Sequence, residues 1–481
     1  MITQKGKTLE DSLGAVIVPH EAFYGVATQR AVENFPITNY LLHPELIKAL
    51  AMVKKAAALA NEPKMENKSP GINKEIVKAC DAIINGYYHE HFVVDPIQGG
   101  AGTSLNMNAN EVIANIALVG MGLDKHMHDV ISPYDHVNMS QSTNDVIPTA
   151  ARICIRKLLD ELLVTMEKLC DIFEEKSKEF DNIVKMGRTH LQDAVPIRLG
   201  QEFDAYRRVL KRDIERIAKT GNYLYEVNLG ATAVGTALNA NPNYITGVIE
   251  NLRKITGFEN LKSCDCLIDG TQNTDCFTEV SAALRICMVN MSKIANDLRM
   301  MASGPKCGFG EITIEKLQPG STIMPEKSNP VLPELINQVA FQVIGNDVTI
   351  SLASEAGQFE LNVMQPVLIY NLIQSVRMMK NAFKVFGERC VSRITVSENN
   401  LERIKGYVET SPIIATALTP HIGYSKAGDI AKVALEQKTT VMAVCLANEE
   451  LLKAVGGEEA LRKILDPDPM TRSADKLDVR N

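Results

Sequence analysis

The chain has 481 residues, of which 45% are hydrophobic and 23% charged, and this composition is typical of a folded globular protein rather than a disordered or fibrous one. Its 51 Lys and Arg against 58 Asp and Glu give a formal net charge of −7 without a basic tract, which argues against nucleic acid as a partner. No secretory signal is visible near the start, and no apolar run reaches the roughly 18 residues that a membrane span requires. We therefore expect a cytoplasmic protein without a membrane partner.

Residues 1–145 are predicted to form an N-terminal domain that is mixed but mainly helical. Short alternating patterns near its start indicate strands, and helical periodicity follows in three stretches, 45–60, 72–85 and 108–121. The glycine-rich stretch 99–110, here called the glycine loop, leads into the third helix. Glycines let the backbone approach a ligand, and a helix N-terminus favours an anion. The spacing is neither that of a dinucleotide-binding loop nor that of a P-loop.

Two asparagines in the glycine loop, Asn106 and Asn110, lie four residues apart and therefore share a helix face. Such a pair is explained equally well by a role in the site and by hydrogen-bonded packing inside the helix.

Residues 146–397 are predicted to form a central bundle of five long helices. The uninterrupted helical stretches are 148–187, 201–220, 275–303, 331–355 and 367–394. At 1.5 Å per residue each spans roughly 30–45 Å, which predicts an elongated bundle. Residues 398–481 are predicted to form a small helical C-terminal domain, with helices at 399–406, 411–418, 426–435 and 449–455. The fold class is mainly α.

Three further segments are unusually rich in hydroxyl, amide and glycine residues. Residues 140–145, the hydroxyl segment, precede the first long helix and include good helix caps, although a cap needs only one such residue. Residues 187–193, the histidine segment, join two long helices and contain the lone His190. Residues 310–330, the long loop, carry Gly310, Gly320 and three prolines, and long ordered loops often carry function.

The long loop resembles the signature of the aspartase/fumarase superfamily, usually G-S-S-x-M-P-x-K-x-N-P, in its residues 320–330. The other three segments match the superfamily's remaining blocks in the same order, and the likeness covers essentially the whole chain through residues 30–35, 226–233, 357–363 and 420–424. This resemblance implies a three-domain fold whose long helices form a twenty-helix core in a homotetramer, with each active site built from three subunits.

Within the superfamily, Gly100-Ala101-Gly102-Thr103 and Ser142-Thr143-Asn144-Asp145 are similar to the aspartase forms, because fumarases typically read G-S-G-T and S-S-N-D there. The resemblance implies a carbon–nitrogen lyase that converts L-aspartate reversibly to fumarate and ammonia through an aci-carboxylate intermediate. It implies no cofactor for the chemistry and no metal ligands, and it leaves activation by Mg²⁺ open.

The same resemblance implies a role for ten residues. Ser321 is the base that removes the proton next to the side-chain carboxylate. The reacting carboxylate is contacted by four hydroxyls, those of Thr103, Ser142, Thr143 and Thr322. Ser142 and Asn144 also lie near the ammonium. The other carboxylate is held by a second set, namely Thr189, Lys327 and Asn329, with His190 nearby.

Thr322, Glu326 and Ser328 depart from the pattern that is usual in the superfamily, so the choice of substrate stays open. A class II fumarase or another amino-acid lyase of the same fold is the first alternative. A non-catalytic structural protein on this scaffold is the second, and the presence of Ser321, Lys327 and Asn329 argues against it.

Overall fold

A computed structural model describes residues 6–473 and residue 475 of the chain. The described residues divide into two compact units, each made of three separate stretches. Unit 1 comprises Met1–Val164, Ile214–Met288 and Phe341–Lys380, and unit 2 comprises Thr165–Asp213, Val289–Ala340 and Asn381–Asn481. The predicted boundaries near residues 145 and 397 stay a prediction, because the units follow spatial contact and cut through the long helices.

Helices dominate the described residues, which confirms the predicted mainly α fold class. The N-terminal elements include an antiparallel hairpin that matches the predicted alternation. They are β1 (Gly6–Asp11), β2 (Gly14–Pro19), α1 (Val26–Asn34), α2 (Pro44–Lys68), α3 (Ile72–Ile84) and α4 (Thr103–Gly120). A short π-helical turn follows at Pro133–Val137.

The central elements contain the five predicted long helices, now bounded as α5, α6, α9, α10 and α11. In chain order the elements are α5 (Thr143–Glu179), β3 (Val184–Thr189), β4 (Gln192–Arg198), α6 (Leu199–Gly221), β5 (Glu226–Val227), α7 (Pro242–Thr256), β6 (Lys262–Ser263), α8 (Leu267–Gln272), α9 (Asp275–Met301), α10 (Val331–Glu355) and α11 (Gln365–Arg389). Residues 302–330, all of them described, contain no helix and only one isolated bridge, at Thr313, so the predicted long loop is confirmed.

Helix α5 begins five residues before Pro148, so that proline lies inside the helix rather than at its start. Because proline has no N–H, the carbonyl of Asn144 four residues earlier loses its intrahelical partner. The side-chain amide of Asn228 donates to that oxygen at 3.0 Å instead. The buried Asn228 therefore compensates for the proline and keeps the first turns of α5 regular.

The C-terminal elements are short helices packed around one apolar cluster of unit 2, in which Leu418, Cys445 and Leu461 are fully buried. They are α12 (Glu398–Thr410), α13 (Thr419–Ile422), α14 (Tyr424–Glu436), α15 (Val441–Leu446), α16 (Glu449–Val455), α17 (Glu458–Ile464) and α18 (Pro467–Met470). Within the described ranges, we find no helix long and apolar enough to span a membrane.

Candidate active site

The hydroxyl segment forms the start of α5 in unit 1. Ser142 occupies the N-cap position, where its Oγ accepts the backbone N–H of Asn144 at 3.2 Å, so the capping role is confirmed for this one residue. The amide of Asn144 donates from Nδ2 to the Ala233 carbonyl at 2.8 Å. Its Oδ1 is consequently turned away from that carbonyl and is left as an acceptor.

Asp145 is fully buried and connects the hydroxyl segment with residues 228–232. Its Oδ1 accepts the backbone N–H of Ser142 at 3.0 Å, and its Oδ2 accepts those of Gly230 at 3.2 Å and Thr232 at 2.9 Å. Burial raises the pKa of Asp145 to about 7, against the opposing effect of these three donors. The carboxylate therefore fixes the backbone on which Ser142 stands, a role that sequence reasoning missed.

The start of α4 lies against the first turns of α5 within unit 1. Gly102 precedes α4 with φ 90°, and a Cβ there would lie 3.1 Å from Cγ1 of Ile147, so glycine is required for this close approach. Thr103 follows at the exposed first position of α4. Unit 1 thus brings the Thr103 end of the glycine loop and the hydroxyl segment together.

Hydroxyl hydrogens remain available at this end of unit 1. The Oγ1 of Thr143 accepts an N–H from Nδ2 of Asn106 at 3.2 Å, and no group in the described part of the chain accepts a hydrogen from Thr103, Ser142 or Thr143. A polar cavity of about 530 Å³ opens beside Ser142 and is lined also by Gln141 and Thr232. The arrangement offers hydroxyl donors to an anionic ligand.

In unit 2, the histidine segment is a β-hairpin, β3–β4, and the sequence did not predict these strands. The strands pair antiparallel with a bulge between Met186 and Arg188. The two-residue turn is His190-Leu191, with φ 55° and 61°, and both φ values lie in the left-handed region that non-glycine residues rarely adopt. Thr189 and His190 are exposed at the tip, so the hairpin presents them to solvent.

The hairpin is anchored by one fully buried carboxylate, that of Glu311 at the start of the long loop. It forms ion pairs with Lys185 at 2.7 Å and with Arg188 at 2.8 Å. The guanidinium of Arg188 also lies over the Phe309 ring, 4.3 Å from its centroid. Glu311 therefore links the hairpin that carries Thr189 and His190 with the loop that carries Ser321.

The long loop holds Ser321 in a tight turn. The serine Oγ accepts two backbone N–H groups, from Ile323 at 3.3 Å and from Met324 at 3.0 Å. Oxygen atoms held by such donors are stabilised when they carry negative charge. These donors are the backbone groups that the serine-base hypothesis requires.

Two further residues of the long loop stabilise one another. Lys327 donates from Nζ to Oδ1 of Asn329 at 2.7 Å, and Asn329 donates from Nδ2 to the Gly320 carbonyl at 2.6 Å. A Cβ at residue 320 would overlap the Lys327 carbonyl oxygen, so only glycine permits this turn. The exposed Lys327 ammonium is thereby held on the loop, whereas Thr322 is exposed without a hydrogen bond to any described residue.

The predicted site residues therefore fall into two groups, one in each unit. Unit 1 holds Thr103, Ser142, Thr143 and Asn144, and unit 2 holds Thr189, His190, Ser321, Thr322, Lys327 and Asn329. Sequence reasoning did not assign a site role to the residues that support them, which are the buried Lys54, Asp145 and Glu311 and the half-buried Asn138. For the residues with described side chains, no cluster of three or more His, Cys, Asp or Glu is placed to hold a metal ion.

Comparison with known proteins gives the same family from sequence and from structure. A family model described as "Lyase" matches residues 14–345, and one described as "Fumarase C C-terminus" matches residues 414–472. An aspartate ammonia-lyase of Bacillus subtilis (strain 168) is 57% identical, over 96% of this chain and 95% of the relative.

Two solved structures have a similar fold. The first, described as fumarate lyase:delta crystallin from Brucella melitensis bound to cobalt, has a TM-score of 0.92 and 46% identity, covering 97% of this chain and 100% of that chain. The second, a recombinant class II fumarase from Schistosoma mansoni, has a TM-score of 0.90 and 31% identity, covering 97% of this chain and 99% of that chain. With the four sequence blocks and the long-helix architecture, these matches show that the chain belongs to the aspartase/fumarase superfamily.

Proposed function

We propose that this chain is an aspartate ammonia-lyase, which eliminates ammonia from L-aspartate to give fumarate. Curated aspartate ammonia-lyases with 45–57% identity along nearly the whole chain support the choice of substrate. The observation that carries the chemistry is the pair of backbone N–H groups on the Ser321 oxygen. The proton next to a carboxylate is very weakly acidic, so the reaction requires a strong and well-positioned base.

Ser321 acts as this base in its anionic form. A serine alkoxide is normally too unstable to form near neutral pH, and the donors from Ile323 and Met324 lower its energy selectively because they bind the anion more strongly than the alcohol. Both donors belong to the same local backbone turn as Ser321, so neither has to be brought in from another part of the chain during the reaction.

The hydroxyls of Thr103, Ser142 and Thr143 bind the reacting carboxylate, which becomes doubly negative as the proton leaves. Their hydrogens are not used by any described residue, and hydroxyl donors aimed at developing charge stabilise a transition state more than its ground state. Asn144 presents its Oδ1 to the ammonium, because its Nδ2 is occupied by Ala233.

Thr189, Lys327 and Asn329, with His190 nearby, hold the other carboxylate, and Thr322 adds a hydroxyl to the reacting one. The Lys327 ammonium offers a point charge to a spectator carboxylate, and Asn329 keeps that ammonium on the loop.

We also propose a homotetramer whose active sites combine segments from three subunits around a twenty-helix core. Helix α10 supports self-association, because Phe341, Val348 and Leu352 recur at helical spacing and are 65%, 54% and 64% exposed. An apolar stripe of this kind on one chain is typical of a subunit interface.

A cytoplasmic location and cofactor-free chemistry remain predictions. Cell fractionation checks the location. Assay after dialysis against EDTA, with and without added Mg²⁺, checks whether the chemistry needs a metal ion.

The experiment that tests the proposed activity is a comparison of three substrates with one purified enzyme. Aspartate, malate and argininosuccinate are incubated in parallel, and fumarate absorbance and ammonia release are followed. We expect aspartate to be the substrate, because Asn144 and Ser142 present acceptors to an ammonium. Departure of hydroxide from malate instead needs a general acid, and neutral hydroxyl and amide groups are too weakly acidic for that role. Malate turnover within tenfold of aspartate turnover would replace this proposal by the fumarase alternative.

Replacing the base should separate catalysis from binding. We expect Ser321→Ala to lower kcat by about 10²–10⁴-fold, the usual contribution of a positioned general base. The fold should persist, because Ser321 lies on a loop and its Oγ bonds only local backbone groups. Steady-state kinetics with thermal melts as a control measure both effects, and a near-normal kcat would remove Ser321 from the base role.

A further inference from the structure

The hydrogen of the Thr143 hydroxyl is available to a substrate only if no neighbouring group of the protein accepts it. A hydroxyl has one hydrogen and two lone pairs, and one lone pair of Thr143 Oγ1 receives the N–H of Asn106 at 3.2 Å. With that contact made, the hydroxyl cannot turn its hydrogen toward Asn106. Its hydrogen is therefore available to an acceptor other than Asn106.

The orientation of the Asn106 amide is in turn dictated by its neighbours. The Oδ1 of Asn138 accepts three donors: Asn106 Nδ2 at 3.2 Å, Asn110 Nδ2 at 3.2 Å and Lys54 Nζ at 2.9 Å. Asn138 Nδ2 donates to the Gln141 carbonyl at 3.2 Å, and a carbonyl can only accept, so the Asn138 atom that faces Lys54 is its oxygen. Asn106 must therefore present its NH₂ group to Asn138, and the second hydrogen of that group reaches Thr143.

We propose that Lys54, Asn138 and Asn106 form a positioning relay that fixes Thr143 as a hydrogen-bond donor to the reacting carboxylate of the substrate. Lys54 is fully buried on α2 and Asn106 is 2% exposed on α4, so both ends of the relay are shielded from water that would otherwise reorient these groups. The inference rests on the proposed function. It assigns a positioning role to Asn106, for which the sequence alone favoured neither a role in the site nor packing inside the helix.

The relay predicts a distinct kinetic effect. A donor aimed at the reacting carboxylate is worth more when that group becomes doubly negative, so loss of the relay lowers kcat more than it raises KM. A direct oxyanion donor contributes about 10²–10³-fold to kcat. Because Asn106 acts through Thr143, we expect Asn106→Leu to lower kcat by about 10–100-fold.

Asn110 is the matched control. It is also buried on α4, its amide also donates to Asn138 Oδ1 at 3.2 Å, and no bond joins it to Thr143 among the described contacts. Asn110→Leu removes an amide of the same size from the same helix. We expect it to reduce thermal stability by a similar amount while lowering kcat less than about threefold.

A double-mutant cycle shows whether Asn106 acts through Thr143. In a Thr143→Val background there is no hydroxyl to orient, so adding Asn106→Leu should lower kcat less than about twofold further. Binding of a nitronate analogue of aspartate, which carries the charge of the aci-carboxylate, should weaken with kcat, and binding of succinate should change little. If Asn106→Leu fails to fold, Asn106→Ser removes the same amide with a smaller change in packing.

Equal loss of kcat in the Asn106 and Asn110 variants would overturn the relay. So would a result in which Asn106→Leu lowers kcat as much in the Thr143→Val background as it does in the wild type. These outcomes are read against wild-type enzyme that releases ammonia from aspartate. An inactive wild type would instead contradict the proposed function, so the two failures are distinguishable.

Discussion

Lys327 places a positive charge on an exposed part of the long loop, where Asn329 holds its ammonium. We expect Lys327→Met to raise KM for aspartate by about 10–100-fold, because a charge-assisted hydrogen bond to a carboxylate is worth about 1.5–3 kcal/mol. Arginine should restore little of this loss, since its planar fork does not occupy the place of an ammonium. Initial rates over a range of aspartate concentrations measure the change.

Lys316 on the same loop provides the control for this prediction. It is paired with the exposed Glu326 at 3.0 Å, and exposed ion pairs contribute little to stability. Lys316→Met should leave KM nearly unchanged. If both variants behave alike, Lys327 is only a surface charge of the loop.

His126 should make the protein less stable in acid. Burial, together with the positive charges of His128, Lys7 and Lys125, lowers the pKa of His126 from its ordinary 6.5 to about 4. Between these values the unfolded chain binds a proton that the folded chain does not, so His126 destabilises the fold as the pH falls from 6.5 toward 4. Urea unfolding at pH 7.5, 5.5 and 4.5 measures the loss.

His126→Asn should weaken this acid sensitivity. The residue has φ 70°, a conformation that asparagine tolerates, and its backbone N–H still reaches Asn115 Oδ1 at 2.7 Å. The free energy of unfolding should therefore fall less between pH 7.5 and 4.5 in the variant than in the wild type. Identical pH profiles would rule out His126 as the source.

Single residues also mark the limit of what the sequence predicts about this site. Asn106 and Asn110 are both asparagines and lie on the same face of α4. Only the three-dimensional structure shows that Asn106 is the one that reaches Thr143. Nothing in the sequence indicates that Lys54 supports the site, because a lysine on a helix is normally exposed. In the structure Lys54 is completely buried. Contacts between distant parts of the chain decide both cases.

At the scale of elements, periodicity predicted the long helices well and failed at the β3–β4 hairpin. Helix α10 spans Val331–Glu355 as predicted, because apolar spacing continues without a break. The hairpin lacks the usual signals: its turn is His190-Leu191 rather than a glycine-containing pair, and the buried Lys185 interrupts the apolar alternation. Tertiary ion pairs, which a local pattern does not contain, stabilise it.

Glu311 provides the test of how this hairpin is held. We expect Glu311→Gln to destabilise the protein by about 3 kcal/mol, because it leaves the cation of Arg188 without a carboxylate in a largely buried site. KM for aspartate should also rise, since Thr189 and His190 depend on the hairpin. Chemical denaturation and steady-state kinetics give the two values.

Glu202→Gln is the matched control, because Glu202 contacts Lys185 at 3.0 Å and makes no ion pair with Arg188 among the described residues. It should cost less stability and leave KM close to the wild-type value. A similar rise of KM in both variants would show that the Arg188 contact is not what positions the turn.

At the scale of the whole molecule, shared active sites predict complementation between two variants of low activity. Thr143→Val damages a unit 1 segment and Ser321→Ala a unit 2 segment. If these segments of one site come from different subunits, an equal mixture refolded together should regain about one quarter of the wild-type sites. The assay is aspartate turnover after joint refolding, with each variant refolded alone as the control. Mixed tetramers, identified by native mass spectrometry, that recover no activity would contradict shared sites.

The interleaving of the two units along the chain also governs how the protein is made. When the first 340 residues have left the ribosome, unit 1 still lacks Phe341–Lys380 and unit 2 still lacks Asn381–Asn481. Neither unit can complete its contacts during most of synthesis, whereas sequential domains fold one after the other as they emerge. The nascent chain therefore exposes apolar helix faces until its last quarter is translated. Folding should be slow for a helical protein, because each unit has to bring together segments that are far apart in the sequence.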